Sequence, residues 1–405
     1  MQSEISAPPR SESSSIEQWA TYVDLLKTAA TAESQLWLPQ DEQLRAELYR
    51  QFAMNLAQGY FLYFQADPHF PDWAPFENSV FLAQPNPDAV YHYTAVSGAG
   101  TYRISGNRGN APVAGFAIGK NMIGMADPPG PGLSNYDLDM LEIDVDGSFE
   151  VIFSRERPQG HTGHWLHLHP DARFILLRQF SYDWGKEIDV RVAIERLDAP
   201  ALKPTMTAAD VDHQLRELFG GYVGRLSKLC LAMVQGARDR GLEEQMQLTD
   251  FSDLGNAADW PQAYYECVYD LEPDEALIIE TELPDSHIYW NVQVIDALWN
   301  QVELVHRQSS LNGHQAKLDN DGKFRAVVSI KDPGVPNWLD TGGNCKGMLI
   351  GRWYRCSSHP TPTMKKVKLA DLRKHLPEDT PVLSEEQRLE TLRGRRIGAQ
   401  LRRRW

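Results

Sequence analysis

The sequence has little cysteine, no long hydrophobic run and an excess of acidic over basic residues. Its four cysteines, spread from Cys230 to Cys356, include no closely spaced pair, so neither a disulfide framework nor a zinc site is expected. No segment approaches the roughly 18 to 20 apolar residues that a membrane-spanning helix needs. The formal net charge of −15 repels phosphate backbones and argues against nucleic-acid binding. These absences predict a cytoplasmic protein with reduced thiols.

Several catalytic signatures are also missing. There is no G-x-S-x-G elbow, which disfavours a serine hydrolase. The Gly-rich segments GNRGN and PPGPG lack the strand-to-helix context of a phosphate-binding loop, so they are interpreted as turns. No cofactor is predicted from motifs of this kind. Residues 1–15 are rich in Ser and Pro and have neither a basic start nor an apolar core, which predicts a disordered leader rather than a secretory signal.

One stretch of the chain repeats the plan of another. The segment 321–352 has two strand patterns flanking a loop rich in Gly and Pro, and the segment that opens at Asp146-Gly147 has the same order of features. Trp165 aligns with Trp338, and Arg178 aligns with Arg352, with spacings that agree within about two residues. The sequence therefore predicts one β-module used twice.

Periodicity assigns the remaining segments. Apolar residues recur every four positions from Leu44 to Tyr60, which predicts an amphipathic helix. Short β-branched and aromatic runs separated by turn formers follow from about Asn78 and predict strands, among them VFLAQ at 80–84 and LEIDV at 141–145. The predicted fold is mainly β with helical additions, in two tandem antiparallel jelly-roll-like sandwiches. Its expected parts are a helical segment at 16–76, β-modules at 77–200 and 261–375, a bridging helical segment at 201–260 and an Arg-rich helical tail at 376–405.

The C-terminal tail reverses the charge of the rest of the chain. Residues 391–405 hold six Arg and no acidic residue. We interpret this as a helix that docks on the acidic body of the protein or of a neighbouring subunit, and a polyanion or membrane surface is the alternative. Together with the frequency of homo-oligomers, the tail predicts a dimer.

Several short motifs carry a family resemblance. They are NPDAVYHYTAVSGAGTYRISGNRG at 86–109, WNVQ at 290–293, SLNG at 310–313, DPGVPNWLDT at 332–341, RWY at 352–354 and the terminal GAQLRRRW. Together they resemble bacterial proteins of domain-of-unknown-function family 1214, related to family 1254, over roughly residues 77–405. The resemblance implies a jelly-roll-like β-fold in a soluble bacterial protein and no established reaction. GHWLHLHP, in the first module, departs from the GNWLPL-type run that is usual there.

The duplicated loops supply the first group of candidate site residues. Asn337 and Trp338 place an amide beside an indole, Asp340 follows them, and Arg352 lies on the next strand. An acid and a guanidinium from one loop and one strand can hold or protonate a polar group. The structural alternative is that Asp340 caps the turn and pairs with Arg352. The same two interpretations apply to Trp165 and Arg178.

Two further groups are candidates. Asn86, Asp88, Tyr91 and Tyr93 combine a turn with tyrosines on one strand face, where Tyr91 is a plausible general acid with Asp88 or Arg103 nearby; a turn and a core are the alternative. His161, His164, His167 and His169 include a His-x-His pair, and His167 and His169 are weak candidates for metal ligands. His164 aligns with Asn337, so it is expected to make a polar contact instead.

The leading prediction is a cofactor-independent acid/base enzyme of the lyase, isomerase or hydrolase type. It would act on a small, largely apolar molecule in a cleft between the two modules, where the duplicated loops would face each other. Asp340 and Tyr91 would transfer protons, Arg352, Arg178, Asn337 and Asn291 would orient polar groups, and Trp165, Trp338 and Trp290 would form walls. A non-catalytic carbohydrate- or lipid-binding module and a His-dependent metalloenzyme are the alternatives.

Overall fold

A computed structural model describes residues 16–243, 245–250, 252 and 259–402; the leader predicted at 1–15 lies outside the described residues. The chain forms two modules of nine strands each. The first contains β1 Ala74–Phe76, β2 Ala89–Ala95, β3 Tyr102–Asn107, β4 Val113–Gly119, β5 Gly132–Asp137, β6 Ser148–Ser154, β7 His164–His167, β8 Phe174–Phe180 and β9 Arg191–Arg196. The second contains β10 Gln247–Asp250, β11 Gln262–Asp270, β12 Glu275–Thr281, β13 His287–Asp296, β14 Ser310–Asn312, β15 Phe324–Ser329, β16 Trp338–Asp340, β17 Lys346–Cys356 and β18 Thr363–Lys368.

Each module is a sandwich of one five-stranded and one four-stranded sheet. The five-stranded sheets, called inner sheets below, have the orders β1-β2-β8-β4-β5 and β10-β11-β17-β13-β14. The four-stranded outer sheets have the orders β7-β6-β3-β9 and β16-β15-β12-β18. Every strand of the first module thus has an equivalent in the second, and the predicted duplication and fold class are confirmed.

The helices lie at the start, the middle and the end of the chain. They are α1 Trp19–Leu25, α2 Glu42–Tyr60, α3 Ala208–Leu215, α4 Val223–Asp239 and α5 Glu385–Leu401. A 3₁₀ segment, Leu26–Gln35, follows α1, and π-helical turns at Phe61–Gln65 and Arg216–Tyr222 extend α2 and join α3 to α4. Among the described helices, none combines the length and the apolar character needed to cross a membrane.

The three largest apolar cores of the described residues hold these layers together. One lies inside each sandwich, and a third lies between the two inner sheets, where residues of β2, β8, β11 and β17 pack with α2 and α4. Phe180 of the first module contacts Tyr289 of the second directly, with ring centroids 5.1 Å apart. Burial of this apolar surface stabilises the interface between the modules by roughly 25 cal/mol for each Å² removed from water.

Two predicted strands are wrong. Residues 80–84 form turns, because Phe81 and Ala83 have φ values of +59° each, outside the extended region that a strand requires. Residues 141–145, which follow the 3₁₀ turn Leu138–Met140, do not form the predicted strand.

The Arg-rich helix α5 docks on its own chain. Arg388 and Arg395 of this helix and Arg402, which directly follows it, recur every seven residues, and all three are buried. Arg388 pairs with Asp332 at 2.8 Å, whereas Arg395 donates to the Leu304 carbonyl at 2.7 Å and to the Ser310 hydroxyl at 2.6 Å. Arg402 pairs with Asp189 of the first module at 2.6 Å. The tail therefore ties the second module to the first.

Replacing Arg395 by Met should destabilise the fold by about 2–4 kcal/mol, because buried carbonyl and hydroxyl groups then lose their charged donor. Arg396→Met is the matched control, since Arg396 is the next residue of the same helix and is exposed. Urea unfolding should place the control within about 0.5 kcal/mol of the wild type. Equal effects of the two substitutions would contradict the docking role of Arg395.

Candidate functional site

A cavity of about 300 Å³ lies between the inner sheets, in the range of small-molecule sites. Strands β2, β8, β11 and β17 form its walls, α4 contributes Leu229 and Met233, and the loop between β4 and β5 covers part of it. Most of the lining is apolar or aromatic, from residues such as Phe76, Met122, Ile123, Phe174, Leu176, Phe180, Trp260 and Trp299.

Two Tyr–Arg pairs from equivalent strands belong to the polar part of the lining. Tyr91 of β2 lies beside Arg178 of β8 in the strand register, and Tyr264 of β11 lies in the same way beside Arg352 of β17. All four residues line the cavity. Because β8 and β17 are the central strands of their sheets, their arginines are held on rigid elements.

Each arginine is held by neighbouring groups. The Arg178 guanidinium donates to the Asn135 side-chain oxygen at 3.3 Å and lies 5.6 Å from the Trp260 ring centroid. Arg352 donates to the Gln84 carbonyl at 3.0 Å and lies 5.2 Å from the Tyr264 ring centroid. Aromatic faces stabilise a cation at such distances, so both guanidinium groups have a fixed position.

Glu77 adds a carboxyl group to the cavity. It follows β1, and its backbone has a φ of +52°, a conformation that costs a non-glycine residue energy and is enriched at functional sites. The Gln58 side chain of α2 holds it there by accepting the Glu77 N–H at 2.7 Å. No described residue forms an ion pair with the Glu77 carboxylate within 4 Å.

Burial changes the acid/base properties of these groups. It raises the pKa of Glu77 to about 8, although the charges of Arg178 and Arg352 oppose the shift. Burial also raises the pKa of Tyr91 well above its usual value and lowers the pKa of Arg178. An acid whose pKa lies near neutrality can both give and take a proton, and Glu77 has this property.

Asn86, Asp88 and Asn291 lie in a buried polar cluster between the modules. The Asp88 carboxylate accepts hydrogen bonds from the Tyr289 hydroxyl at 2.5 Å and from the Asn291 amide at 3.1 Å. Asn86 accepts from the same two groups at 2.9 Å, and its N–H donates to the Tyr91 hydroxyl at 3.2 Å. The cluster therefore helps to position the Tyr91 hydroxyl, although Asn86, Asp88 and Asn291 do not line the cavity themselves.

The expectation that the duplicated loops face each other across the cleft is wrong. Trp165 and Trp338 belong to β7 and β16, which are edge strands of the outer sheets and pair in parallel with β6 and β15. Asn337 pins the loop through the Lys317 and Arg325 carbonyls, at 2.6 and 2.7 Å. These side chains hold the outer sheets together and do not line the cavity.

Asp340 also lies away from the cavity. Its carboxylate accepts from Arg307 at 2.9 Å and from the Gly342 N–H at 2.8 Å. Asp340 therefore caps the turn, as the structural alternative predicted. Its ion-pair partner is Arg307, because Arg352 lines the cavity instead. The pairing of Asp340 with Arg352 is therefore a wrong prediction.

The other candidates have separate positions. Arg103 pairs with Glu195 on the outer sheet, and Trp290 is buried inside the second sandwich. His164 contacts the Glu142 backbone at 3.2 Å. The rings of His167 and His169 are 6.5 Å apart, and the described residues contain no group of three His, Cys, Asp or Glu side chains that could hold a metal ion.

Sequence reasoning found Tyr91, Arg178 and Arg352 and missed Glu77, Trp260 and Tyr264. Tyr264 had a usable signal, since it precedes Arg352 by nearly the same number of residues as Tyr91 precedes Arg178. Trp260 lies against β4 because Gly115 has no side chain; a Cβ there would meet the Trp260 ring at 2.8 Å. Nothing in the local sequence distinguishes Glu77.

Replacing Glu77 by Gln should remove a pH dependence of stability. Between its ordinary pKa of 4.5 and the raised value of about 8, the folded protein binds one proton more than the unfolded chain, so the free energy of unfolding falls as the pH rises. Glu77→Gln should therefore become more stable than the wild type towards pH 9, by on the order of a few kcal/mol.

Urea unfolding at a series of pH values measures this difference. Glu378→Gln changes an exposed carboxylate and should follow the wild-type curve. A constant difference between Glu77→Gln and the wild type from pH 5 to 9 would contradict the raised pKa.

Comparison with known proteins finds one family model that matches the chain. The model of the family described as "Protein of unknown function (DUF1214)" matches residues 92–181 and 269–358, one segment in each module. The crystal structure of an uncharacterized protein from Burkholderia cenocepacia has 27% sequence identity and a TM-score of 0.79, and the match covers 87% of this chain and 97% of that one.

A protein from Vibrio parahaemolyticus matches 86% of this chain and 100% of its own, with 12% identity and a TM-score of 0.45. No curated protein matches the chain. The family resemblance predicted from the motifs is confirmed: the DUF1214 model matches the chain twice, once in each module.

Proposed function

We propose that the protein is a cofactor-independent enzyme that moves protons on a small, largely apolar organic molecule bound in the cavity between the inner sheets. The observation that carries the proposal is Glu77, whose carboxyl group has a pKa near neutrality inside a cavity that also contains two arginines. Such tuning is what general acid/base catalysis requires.

The residues around Glu77 suit this chemistry. Glu77 removes a proton from one atom of the bound molecule and returns it to another, so an isomerisation of this kind needs no further reactant. Arg178 and Arg352 stabilise the negative charge that develops on the substrate. Tyr91 keeps its phenolic proton because its pKa is raised, and its hydroxyl is a second donor to that charge.

The apolar lining supports a second candidate, a non-catalytic binding protein for small apolar molecules. Phe174, Leu229 and Met233 offer apolar contact area and no group that could react. A cytoplasmic location and a homodimer stay predictions; the tail arginines Arg388, Arg395 and Arg402 bind groups of their own chain.

Solvent deuterium incorporation tests the enzymatic proposal. The protein is incubated in D₂O with a panel of small aromatic and alicyclic carbonyl compounds and acids, and mass spectrometry detects deuterium bound to carbon. Glu77→Gln should lower the rate of incorporation about 10²- to 10⁴-fold, because the exchanging carboxyl group is lost, while calorimetry shows little change in affinity.

Asp340→Asn is the matched control, since it replaces a buried carboxylate outside the cavity by its amide and should leave the rate unchanged. An undiminished rate in Glu77→Gln would contradict the role of Glu77. Binding without incorporation for every compound would favour the non-catalytic candidate.

A further inference from the structure

Two hydrogen-bond donors of the cavity lining have no partner among the described residues. Arg352 and Trp260 are each 3% exposed, and neither the second terminal nitrogen of Arg352, Nη1, nor the Trp260 Nε1 donates to any described residue. An unsatisfied buried donor costs about 1–3 kcal/mol, and more when it is charged. Both donors belong to residues that line one cavity, so the acceptor oxygens of a ligand bound there would satisfy them.

The charge of the cavity favours an anion. Arg352 is a cation of the lining that forms no ion pair within 4 Å with any described residue, and Glu77 is uncharged below its pKa of about 8. The other titratable groups whose charges interact with Glu77 ionise only at high pH, because burial raises the pKa of each: Tyr91, Tyr222 and Cys230. Near neutral pH a ligand anion beside Arg352 would therefore compensate the charge of this buried guanidinium.

We propose that the ligand is a small organic carboxylate, whose charged end binds Arg352 and Trp260 and whose apolar body lies against Phe174, Leu229 and Met233. A guanidinium and an indole N–H suit the two oxygens of a carboxylate, and charge-assisted bonds of this kind are the stronger ones. This assignment names the substrate class of the proposed enzyme and rests on the same cavity.

Two buried hydrogen-bond acceptors of the lining indicate a further polar group on the ligand. The side-chain oxygens of Gln84 and Gln262 are also buried without a described donor, and both residues line the cavity. A hydroxyl or amino group on the carboxylate would donate to them. Since buried polar groups are nearly always hydrogen-bonded, hydroxy-substituted acids should bind more tightly than their unsubstituted counterparts.

Calorimetry with matched ligands tests the assignment. The probes are mandelate, phenylacetate and octanoate, each compared with its primary amide at pH 6.5, where Glu77 is mostly protonated. Each carboxylate that binds should do so at least about tenfold more tightly than its amide, because the amide lacks the charge that the arginines select.

Substitutions locate the binding group. Arg352→Gln should weaken carboxylate binding about 10- to 100-fold and leave amide binding nearly unchanged. Trp260→Phe keeps the aromatic packing and should cost a few-fold. Arg103→Gln, on the outer sheet, is the matched control and should have no effect. If Arg352→Gln fails to fold, the comparison of each carboxylate with its amide on the wild-type protein still tests the carboxylate assignment.

The pH dependence gives an independent readout. As the pH rises through about 8, ionised Glu77 repels the ligand, so carboxylate affinity should fall, and it should not fall in Glu77→Gln. Equal affinity for carboxylates and amides would overturn the carboxylate assignment, even if Glu77-dependent deuterium incorporation supported the enzyme. Tight carboxylate binding without incorporation would support the assignment and reject the enzyme.

Discussion

The buried carboxylate of Asp88 is the point on which the arrangement of the two modules depends. It is 1% exposed and accepts four side-chain hydrogen bonds, one from Trp184 of its own module and three from Tyr289, Asn291 and Asn312 of the other. A carboxylate without such partners would be too costly to bury. Asp88 precedes β2, and Asn291 lies beside Arg352 in the strand register. The cluster therefore fixes one Tyr–Arg pair relative to the other, and with them the width of the cavity.

The central strands could be predicted from the sequence, whereas the short edge strands β1, β5, β7 and β16 could not. Strands β4, β8, β13 and β17 have neighbours on both sides and are largely buried on both faces, so their sequences are rich in apolar residues with few polar ones between them. Strands β1, β5, β7 and β16 have three to six residues and one neighbour each. Their identity comes from the partner strand rather than from a pattern of their own, since an edge needs no apolar alternation to pair.

The candidate site was predictable where it follows the duplication. Arg178 and Arg352 were found because equivalent positions in the two repeats hold the same residue type, and equivalent strands place them in the same cavity. Asp340 was placed wrongly because a turn-capping carboxylate and a carboxylate in a cavity have the same local sequence context. Glu77 depends on contacts remote in sequence: Gln58 from α2 holds its backbone, and arginines from both modules face its side chain. Such contacts exist only once the layers are assembled.

Carrying both modules in one chain has an evolutionary consequence for the cavity. In a symmetric dimer of one module, every substitution would occur on both sides of the site at once. Here Tyr91 and Tyr264, or Arg178 and Arg352, can change one at a time, so each wall can specialise for a different end of the same ligand. The covalent link also makes the cavity complete in a single molecule, so dilution does not separate its two halves.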